Sequence, residues 1–410
     1  MRVLIVGSGG REHALAWRLA SSPALTELHA APGNPGIAAL ATCHPVAADD
    51  ADGLLGLARS LVADLVVVGP EAPLVAGVAD PLRHAGIPVF GPSRRAAQIE
   101  GSKQFAKGVM AAAGVPTAAL LDRPSAPCVL KADGLAAGKG VLLCRTEDEL
   151  ARGLDLARTF GGQVLVEELL EGPEVSVLAL CDGAEALALA PARDFKRAYD
   201  GDEGPNTGGM GSFAPVADVD DPLLAELLET CVRPTLAELA RRGSPFVGTL
   251  FAGLMLTREG PRVIEYNCRF GDPETQSVLP LVDGDLLGAL AAAATGSIAG
   301  VSLGRSTESA VTVVLAAGGY PAAGDVGTPI EGIDAAMAAG ALVFHAGTAL
   351  HDGQLVTNGG RLLGVTATGA TLADARERAY AAADRIRIAG ARRREDIAAE
   401  AVAAERTRRA

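Results

Sequence analysis

Lysine is scarce in this chain. Thirty-six residues are basic, yet only five are lysine: Lys103, Lys107, Lys131, Lys139 and Lys196. Arginine serves nearly everywhere else that a surface cation is wanted. All five lysines fall between positions 103 and 196, and random scatter would rarely confine them so. A compact ammonium on a flexible stem does what a planar guanidinium cannot at a phosphate site. Other absences set further limits. The six cysteines contain no C-x-x-C pair and no metal spacing, so they read as reduced thiols, several in apolar runs. The six histidines are scattered and give no zinc pattern. No apolar run approaches the length of a membrane span, and the N-terminus begins directly with a strand-like run. A cytoplasmic protein without a membrane partner is expected. The net charge of −13 argues against a nucleic-acid partner and means that any anionic substrate must be held by local cations.

At 410 residues, 49% of them apolar, the chain is globular and too long for one core. Its most informative stretch is Lys131-Ala-Asp-Gly-Leu-Ala-Ala-Gly-Lys-Gly140. Apolar runs at Cys128–Leu130 and Val141–Cys144 flank it, which predicts strand, loop, strand. Three glycines let the backbone approach a ligand closely, and two ammonium groups suit a polyphosphate. The spacing is not that of a Walker A loop, which requires four residues between its glycines and opens a helix. An ordinary flexible hairpin is the alternative.

Residues 1–98 predict a doubly wound α/β domain with strands at Val3–Val6, Leu28–Ala31, Leu65–Val68 and Ile87–Phe90. The Gly7-Ser-Gly-Gly10 turn resembles a dinucleotide fingerprint but departs from it twice. Glu12 occupies the third glycine position, and the second strand ends in Ala31-Pro32 with no acid for a ribose. What remains is a helix start with N–H groups and Arg11, suited to one phosphate, or a tight structural turn. Glu71, at the end of another strand, is placed to face the same crevice.

Beyond residue 98, Ser102 is a candidate N-cap, with Lys103 at a helix start that calls for a nearby anion. A helix is expected near 147–158. A strand from Val164 runs into Glu167, Glu168 and Leu170, and Glu174 opens the next strand; such a strand end suits a purine edge and a ribose, or is simply exposed. Strands at 174–181 and 185–190 lead to a long loop, 194–211, which carries Asp194, Lys196, Asn206, Thr207, Gly208 and Gly209. Loops of this length in compact domains are usually functional or disordered. A helix at about 221–242 follows. In Val263-Ile-Glu-Tyr-Asn-Cys-Arg269, strand alternation puts Glu265, Asn267 and Arg269 on one face. An acid and an amide two residues apart can hold Mg²⁺ between phosphates, and Arg269 can hold an anion by a forked pair. From 306 a small α+β domain is expected, with strands at 310–315, 341–344 and 362–366 and a helix at 371–386. There Gly318–Pro321 and Asn358–Arg361 are the segments able to reach a site. The basic tail after 390 is read as helical and solvated.

Six motifs, in order, resemble the phosphoribosylamine–glycine ligase family of ATP-grasp enzymes. They are Gly-x-Gly-Gly-Arg-Glu-His-Ala at 7–14, Val-Gly-Pro-Glu-Ala-Pro-Leu at 68–74, Glu-Gly-Ser-Lys at 100–103, the glycine loop at 131–140, Gly-Pro-Asn-Thr-Gly-Gly-Met-Gly at 204–211 and Asn-Cys-Arg-Phe-Gly-Asp-Pro-Glu at 267–274. The resemblance covers essentially the whole chain. It implies an N-terminal doubly wound domain (1–98), ATP-grasp domains (99–305, with a lid at about 117–180) and a C-terminal α+β domain (306–410).

The activity it implies is ATP-dependent joining of glycine to 5-phosphoribosylamine through glycyl phosphate. By the resemblance Lys103, Lys131, Gly138, Lys139 and Gly140 hold the ATP phosphates, Glu167, Glu168 and Leu170 meet adenine, and Glu174 meets the ribose. Glu265 and Asn267 would bind Mg²⁺ or Mn²⁺. Gly9, Gly10, Arg11 and Glu71 would form the sugar-phosphate side. Asp194, Lys196, Asn206, Thr207, Gly208, Gly209 and Arg269 would line the glycine and amine sites, with Lys131, Asp194, Asn206 and Arg269 nearest the chemistry. Small-molecule substrates are the expected partners, and a monomer or weak dimer the expected state. The chain departs from the family in a lid shortened between Pro116 and Lys131 and between Phe160 and Gln163, and in Phe195, where histidine is common. The competing functions are another ATP-grasp ligase or carboxylase and a nicotinamide-dependent oxidoreductase; Glu12 and Ala31 speak against the latter.

Overall fold

A computed structural model describes residues 1–135, 140–160 and 163–409. The N-terminal sheet has five parallel strands in the spatial order Thr42–Cys43, Glu27–Pro32, Arg2–Gly7, Leu65–Val68, Val89–Phe90. The central strand Arg2–Gly7 is apolar from Val3 to Val6 because both its faces are covered: Leu4 and Val6 enter one core, Val3 and Ile5 the other. Strand order reverses between Arg2–Gly7 and Leu65–Val68, and the crevice at their carboxyl ends is where such sheets bind ligands. The first four predicted strands are present. The short Thr42–Cys43 strand went unpredicted, since two residues carry no period.

The middle of the chain holds two antiparallel sheets. One is the expected hairpin, Cys128–Ala132 with Val141–Cys144, extended by Val164–Glu168 and backed by the helix Glu147–Thr159. The other orders its strands Ala186–Ala188, Glu174–Asp182, Val247–Thr257, Gly260–Asn267. Ser102 caps the helix Lys103–Ala113 by accepting from the Phe105 N–H at 3.1 Å, and Gly114 ends it at φ +69°, as a left-handed cap requires. The long helix expected at 221–242 contains a π-helical segment, Leu228–Val232, between Asp221–Leu227 and Arg233–Arg241. Pro234 has no N–H and its ring crowds the preceding turn, so a wider turn accommodates it. The Cys231 carbonyl accepts instead from Thr235 Oγ1 (2.9 Å) and Tyr266 Oη (2.6 Å).

A third antiparallel sheet crosses from the middle of the chain into its last third, in the order Arg193–Asp194, Gly211–Ala214, Ser309–Ala316, Arg361–Gly369, Leu342–His345. Thr312 and Thr366, opposite each other in it, share a buried hydroxyl bond of 2.8 Å. A fourth sheet orders Thr348–His351, Gln354–Gly359, Asp325–Glu331, Arg387–Ile388, with the helix Leu372–Ala383 packed on the third. One apolar core joins Leu4, Val177, Leu250, Val311 and Ile397, so the parts are fused rather than strung together. His13 is held neutral, its pKa lowered to about 3 by burial and by His345, and accepts the His345 N–H at 2.8 Å between the first helix and the last third. Among the described residues no helix is long and apolar enough to cross a membrane.

Two expectations need correcting. The 194–211 stretch is not wholly irregular: Arg197–Tyr199 pairs with Glu203–Asn206 in a bulged hairpin, concealed in the sequence by Gly204 and Pro205. Nor is the tail after 390 simply solvated. The final helix, Ala399–Arg409, is largely exposed, but Arg394, Ile397 and Ala398 are buried. At the junction of the third sheet, a Cβ on Gly211 would lie 2.6 Å from the Thr312 carbonyl oxygen. Gly211→Ala is therefore expected to cost about 2 kcal/mol of stability, as overpacking against backbone does, measured by urea unfolding.

Candidate active site

The site is built on one face of the four-stranded sheet. Gly253 lies opposite both Ser176 and Glu265, and Phe251 lies opposite Asn267. Residues opposite each other share a face, so Glu174, Ser176, Glu265 and Asn267 point the same way. A Cβ on Gly253 would stand 3.2 Å from Glu265 Cγ, so the glycine gives that side chain room to lie over the sheet. Glu265 and Asn267 offer two oxygens on a half-buried surface, and Glu265 forms no ion pair among the described residues. No group of three or more metal-ligating side chains occurs among those residues. Two protein oxygens fit an ion that takes its other ligands from phosphates and water.

The lysines gather above this face. Lys131 Nζ lies 2.8 Å from Glu167 Oε2 and donates to the Ile264 carbonyl at 2.8 Å. Lys107 Nζ lies 3.2 Å from Glu167 Oε1 and donates to Thr117 and Ala118. Glu167 is 2% exposed, so its carboxylate is shut between two ammonium groups. Lys107 had drawn no assignment; its place in the lysine cluster was the one signal. Glu168 points the other way and accepts the Ala119 N–H at 2.8 Å, while Leu170 is half-buried beyond the strand end. The anion called for at Lys103 is Asp133, which accepts the Lys103 N–H at 2.6 Å; Lys103 Nζ donates to the Gly134 carbonyl at 2.8 Å. Burial draws the Lys103 ammonium down against the pull of Glu265 and Asp133. The Gly140 carbonyl accepts from Ala132 N–H at 2.8 Å. Gly138 and Lys139 lie outside the described residues.

Lys196 lies at the other end of the face, 2.7 Å from Glu174 Oε2 and 3.1 Å from Asp194 Oδ1. Burial opposes its charge, but Asp194, Glu174 and Glu265 raise its pKa well above the usual lysine range. Burial pushes the Asp194 carboxyl up. Thr207 donates to the Lys196 carbonyl from both N–H (2.7 Å) and Oγ1 (2.8 Å), and its Oγ1 accepts the Gly209 N–H at 3.0 Å. Asn206 Nδ2 reaches the Val141 carbonyl of the lid at 3.3 Å. Both C-terminal segments expected to reach the site do so. Tyr320 Oη accepts the Gly208 N–H at 2.9 Å, and Arg361 donates to the Gly208 carbonyl and to Asp272.

Arg269 ties this face to the N-terminal crevice. Its guanidinium donates to Glu71 Oε2 (3.2 Å) and to Glu100 Oε1 (3.1 Å) and lies 3.5 Å from Asn267 Oδ1. Burial opposes its charge, yet Glu100 and Glu71 raise its pKa. Arg11 is turned inward, 2.5 Å from Glu12 Oε1 and 3.7 Å from Glu71. Glu12 Oε2 accepts the Gly9 N–H at 2.6 Å, so that donor is engaged inside the turn. Glu12 explains the broken fingerprint. Its side chain passes between Gly7 and Gly69, where added Cβ atoms would stand 2.6 and 2.0 Å from it. Gly10 opens the first helix beside the Gln276 amide. Glu100 and Glu274 had also drawn no assignment. Glu274 is buried, 3.3 Å from Ser176 Oγ, and forms no ion pair among the described residues; burial and nearby Asp194 push its pKa up to about 7.

Glu71 yields a pH prediction. Burial raises its pKa, but Arg269 and Arg11 outweigh that and lower it to about 2. The folded pKa is depressed, so this contribution is present above the unfolded carboxylate range near ~4.5 and is lost as pH falls toward 2. Glu71→Gln is therefore expected to be less stable than the parent at pH 7, with the gap closing below pH ~4.5. Urea unfolding across pH 3–7 measures it, and a gap independent of pH would refute the assignment.

Comparison with known proteins identifies the family. Residues 1–100, 101–275 and 310–400 match the N, ATP-grasp (A) and C domains of phosphoribosylglycinamide synthetase. A phosphoribosylamine–glycine ligase of Streptomyces coelicolor is 52% identical, with 98% of this chain and all of that protein covered. One from Brucella melitensis is 48% identical over the whole of both chains. The crystal structure of a Thermotoga maritima phosphoribosylamine–glycine ligase superposes with a TM-score of 0.82 at 36% identity, covering 97% of this chain and all of that one. The biotin carboxylase domain of a Hydrogenobacter thermophilus 2-oxoglutarate carboxylase superposes with a TM-score of 0.71 at 18% identity, over 95% of this chain and 91% of that one, a likeness of fold. With three domain matches in order and full-length relatives near half identity, the chain belongs to the phosphoribosylglycinamide synthetase family.

Proposed function

We propose that this chain joins glycine to 5-phosphoribosylamine at the expense of ATP, giving glycinamide ribonucleotide, ADP and phosphate in purine biosynthesis. The observation that carries the reading is the single face on which the Glu265–Asn267 pair meets the lysine cluster, between the lid hairpin and the N-terminal crevice. The full-length relatives bear the name of this reaction.

In this reading Lys103 and Lys131, with Gly138, Lys139 and Gly140 of the lid loop, neutralise the ATP phosphates. Glu167 acts on the nucleotide through the lysines it aligns, and adenine falls to the strand end at Glu168–Leu170, with the ribose at Glu174. Glu265 and Asn267 hold Mg²⁺ or Mn²⁺, which when bound offsets charge on the transferred phosphoryl group. Asp194, Lys196, Asn206, Thr207, Gly208, Gly209 and Arg269 enclose glycine and the attacking amine. The sugar phosphate lies at the crevice of Gly9, Gly10, Arg11 and Glu71; because Glu12 engages the Gly9 N–H, Gly10 is the donor of that turn assigned to it. The glycine carboxylate attacks the terminal phosphorus and ADP leaves. The amine nitrogen then attacks the acyl carbon, loses a proton, and phosphate leaves. No side chain becomes covalently attached; the protein orients the reactants and neutralises charge. The reading includes a soluble cytoplasmic enzyme of small-molecule substrates, monomeric or weakly dimeric.

ADP release by the purified protein, with each substrate omitted in turn, tests this. Release is expected only with Mg-ATP, glycine and phosphoribosylamine together. Release supported by bicarbonate in place of glycine would replace the acceptor. Lys131→Ala is expected to lower turnover by about 10²–10³-fold. Glu265→Gln is expected to raise the Mg²⁺ concentration giving half-maximal rate by about tenfold, with the circular-dichroism spectrum unchanged. An unchanged Mg²⁺ requirement would remove Glu265 from the metal site.

A further inference from the structure

The segment Arg392–Asp396 is folded against the hairpin Arg197–Asn206, which directly follows Lys196. Arg394, 1% exposed, is its centre. Its Nε and Nη2 form a forked pair with Asp396 at 2.7 and 2.6 Å. Its Nη1 donates to Asp202 Oδ1 (2.7 Å) and to the Arg197 carbonyl (3.2 Å). The guanidinium lies over the Phe195 ring, 5.0 Å from its centroid. Phe195 and Arg197 are the two neighbours of Lys196, and one side chain holds both, by stacking on the first and bonding the main chain of the second. Lys196 itself turns to Glu174 and Asp194.

The contacts around Arg394 extend the grip. Asp396 Oδ2 accepts the Gly201 N–H at 2.9 Å, and Asp200 Oδ1 accepts the Glu395 N–H at 2.8 Å. Arg392 donates to the Ala198 and Tyr320 carbonyls and lies over Tyr199 at 4.9 Å. The hairpin's own ladder is short and bulged, with two paired positions, so it depends on outside support. Phe195 supplies the flat apolar face for Arg394.

We propose that Arg394 is a positioning residue for the glycine side of the site: it fixes both flanks of Lys196 and thereby the placement of the ammonium between Glu174 and Asp194. The inference rests on the assignment of Lys196 and Asp194 to the acceptor site. A planar fork is required, because the bonds to Asp396, Asp202 and the Arg197 carbonyl diverge in one plane. Lysine keeps the charge and loses that geometry.

The test compares Arg394→Lys and Arg394→Ala with the parent, and adds Asp202→Asn, which changes one exposed acceptor of the fork. Three quantities are read: the KM for glycine against kcat, the affinity for a fluorescent ATP analogue, and amide hydrogen exchange along the chain. For Arg394→Lys the glycine KM is expected to rise about tenfold, with a smaller rise in Asp202→Asn, as for a displaced contact. Analogue affinity is expected to fall less than the glycine KM rises, since Lys103 and Lys131 form no hydrogen bond with Lys196 among the described residues, whereas Glu174 pairs with it directly. Faster exchange is expected only in peptides covering 195–206 and 392–396. Unchanged kinetics, or faster exchange throughout the protein, would overturn the proposal and leave Arg394 a residue of general stability. Should both Arg394 variants fail to fold, an unchanged glycine KM in Asp202→Asn would overturn it equally. A parent enzyme that makes no glycinamide ribonucleotide would instead refute the functional assignment, while the exchange pattern would still report on the clasp.

Discussion

A buried guanidinium that cannot lose its charge is the constraint from which much of this structure follows. Arg269 lies two residues past the end of the strand Gly260–Asn267 and meets acids from two other parts of the chain, Glu71 and Glu100. Glu71 also meets Arg11, which meets Glu12, which takes the Gly9 N–H. A continuous run of paired charges therefore joins the start of the first helix to the acid–amide pair. Such pairs add little net stability, because desolvation offsets attraction, but removing one partner is costly. Their effect is on geometry. They fix how far the N-terminal crevice stands from the sheet face, and a reaction between two bound molecules needs that distance held.

The lysine cluster answers a second demand. An ammonium group facing a phosphate site must be kept in place and charged before the substrate arrives. Lys131 and Lys107 share Glu167, and Lys196 lies between Glu174 and Asp194. One carboxylate among two cations in the first case, and one cation among two carboxylates in the second, leave opposite net charges at the two ends of the face. The excess of positive charge at the Glu167 end favours anions. The excess of negative charge at the other favours cations.

Much of this was legible in the sequence, for physical reasons. Val3–Val6 and Leu65–Val68 are apolar throughout because both faces are covered, and Cys128–Leu130 with Val141–Cys144 frame a glycine loop that only a turn accommodates. Alternation placed Glu265 and Asn267 together because a strand has a fixed period of two, whereas the strand ends at Asn267 and Arg269 reaches them from the bend beyond it. Roles set by distant partners were illegible. Nothing near Glu167 tells that its carboxylate is enclosed by Lys107 and Lys131, and the next residue, Glu168, points elsewhere. Arg394 sits in a run of three arginines that reads as a solvated tail, and its burial depends on Asp202 and Phe195, far away in the chain. Val247–Thr257, the central strand of the site's sheet, drew no expectation, since its glycines and varied apolar residues have no clear period.

The sheet that crosses the chain has a consequence for biosynthesis. Gly211–Ala214 pairs on one side with Arg193–Asp194, which precedes it, and on the other with Ser309–Ala316, which follows long after. On a ribosome, which delivers the chain from its N-terminus, the acceptor-side residues emerge with one edge of this strand still open. The loop 194–211 also waits for Arg392–Asp396, with Arg394 translated 192 residues after Asp202. The hairpin of Cys128–Ala132 with Val141–Cys144 is able to assemble early, from local contacts, whereas the 194–211 stretch is completed only after the strand Ser309–Ala316 and the segment Arg392–Asp396 have been made.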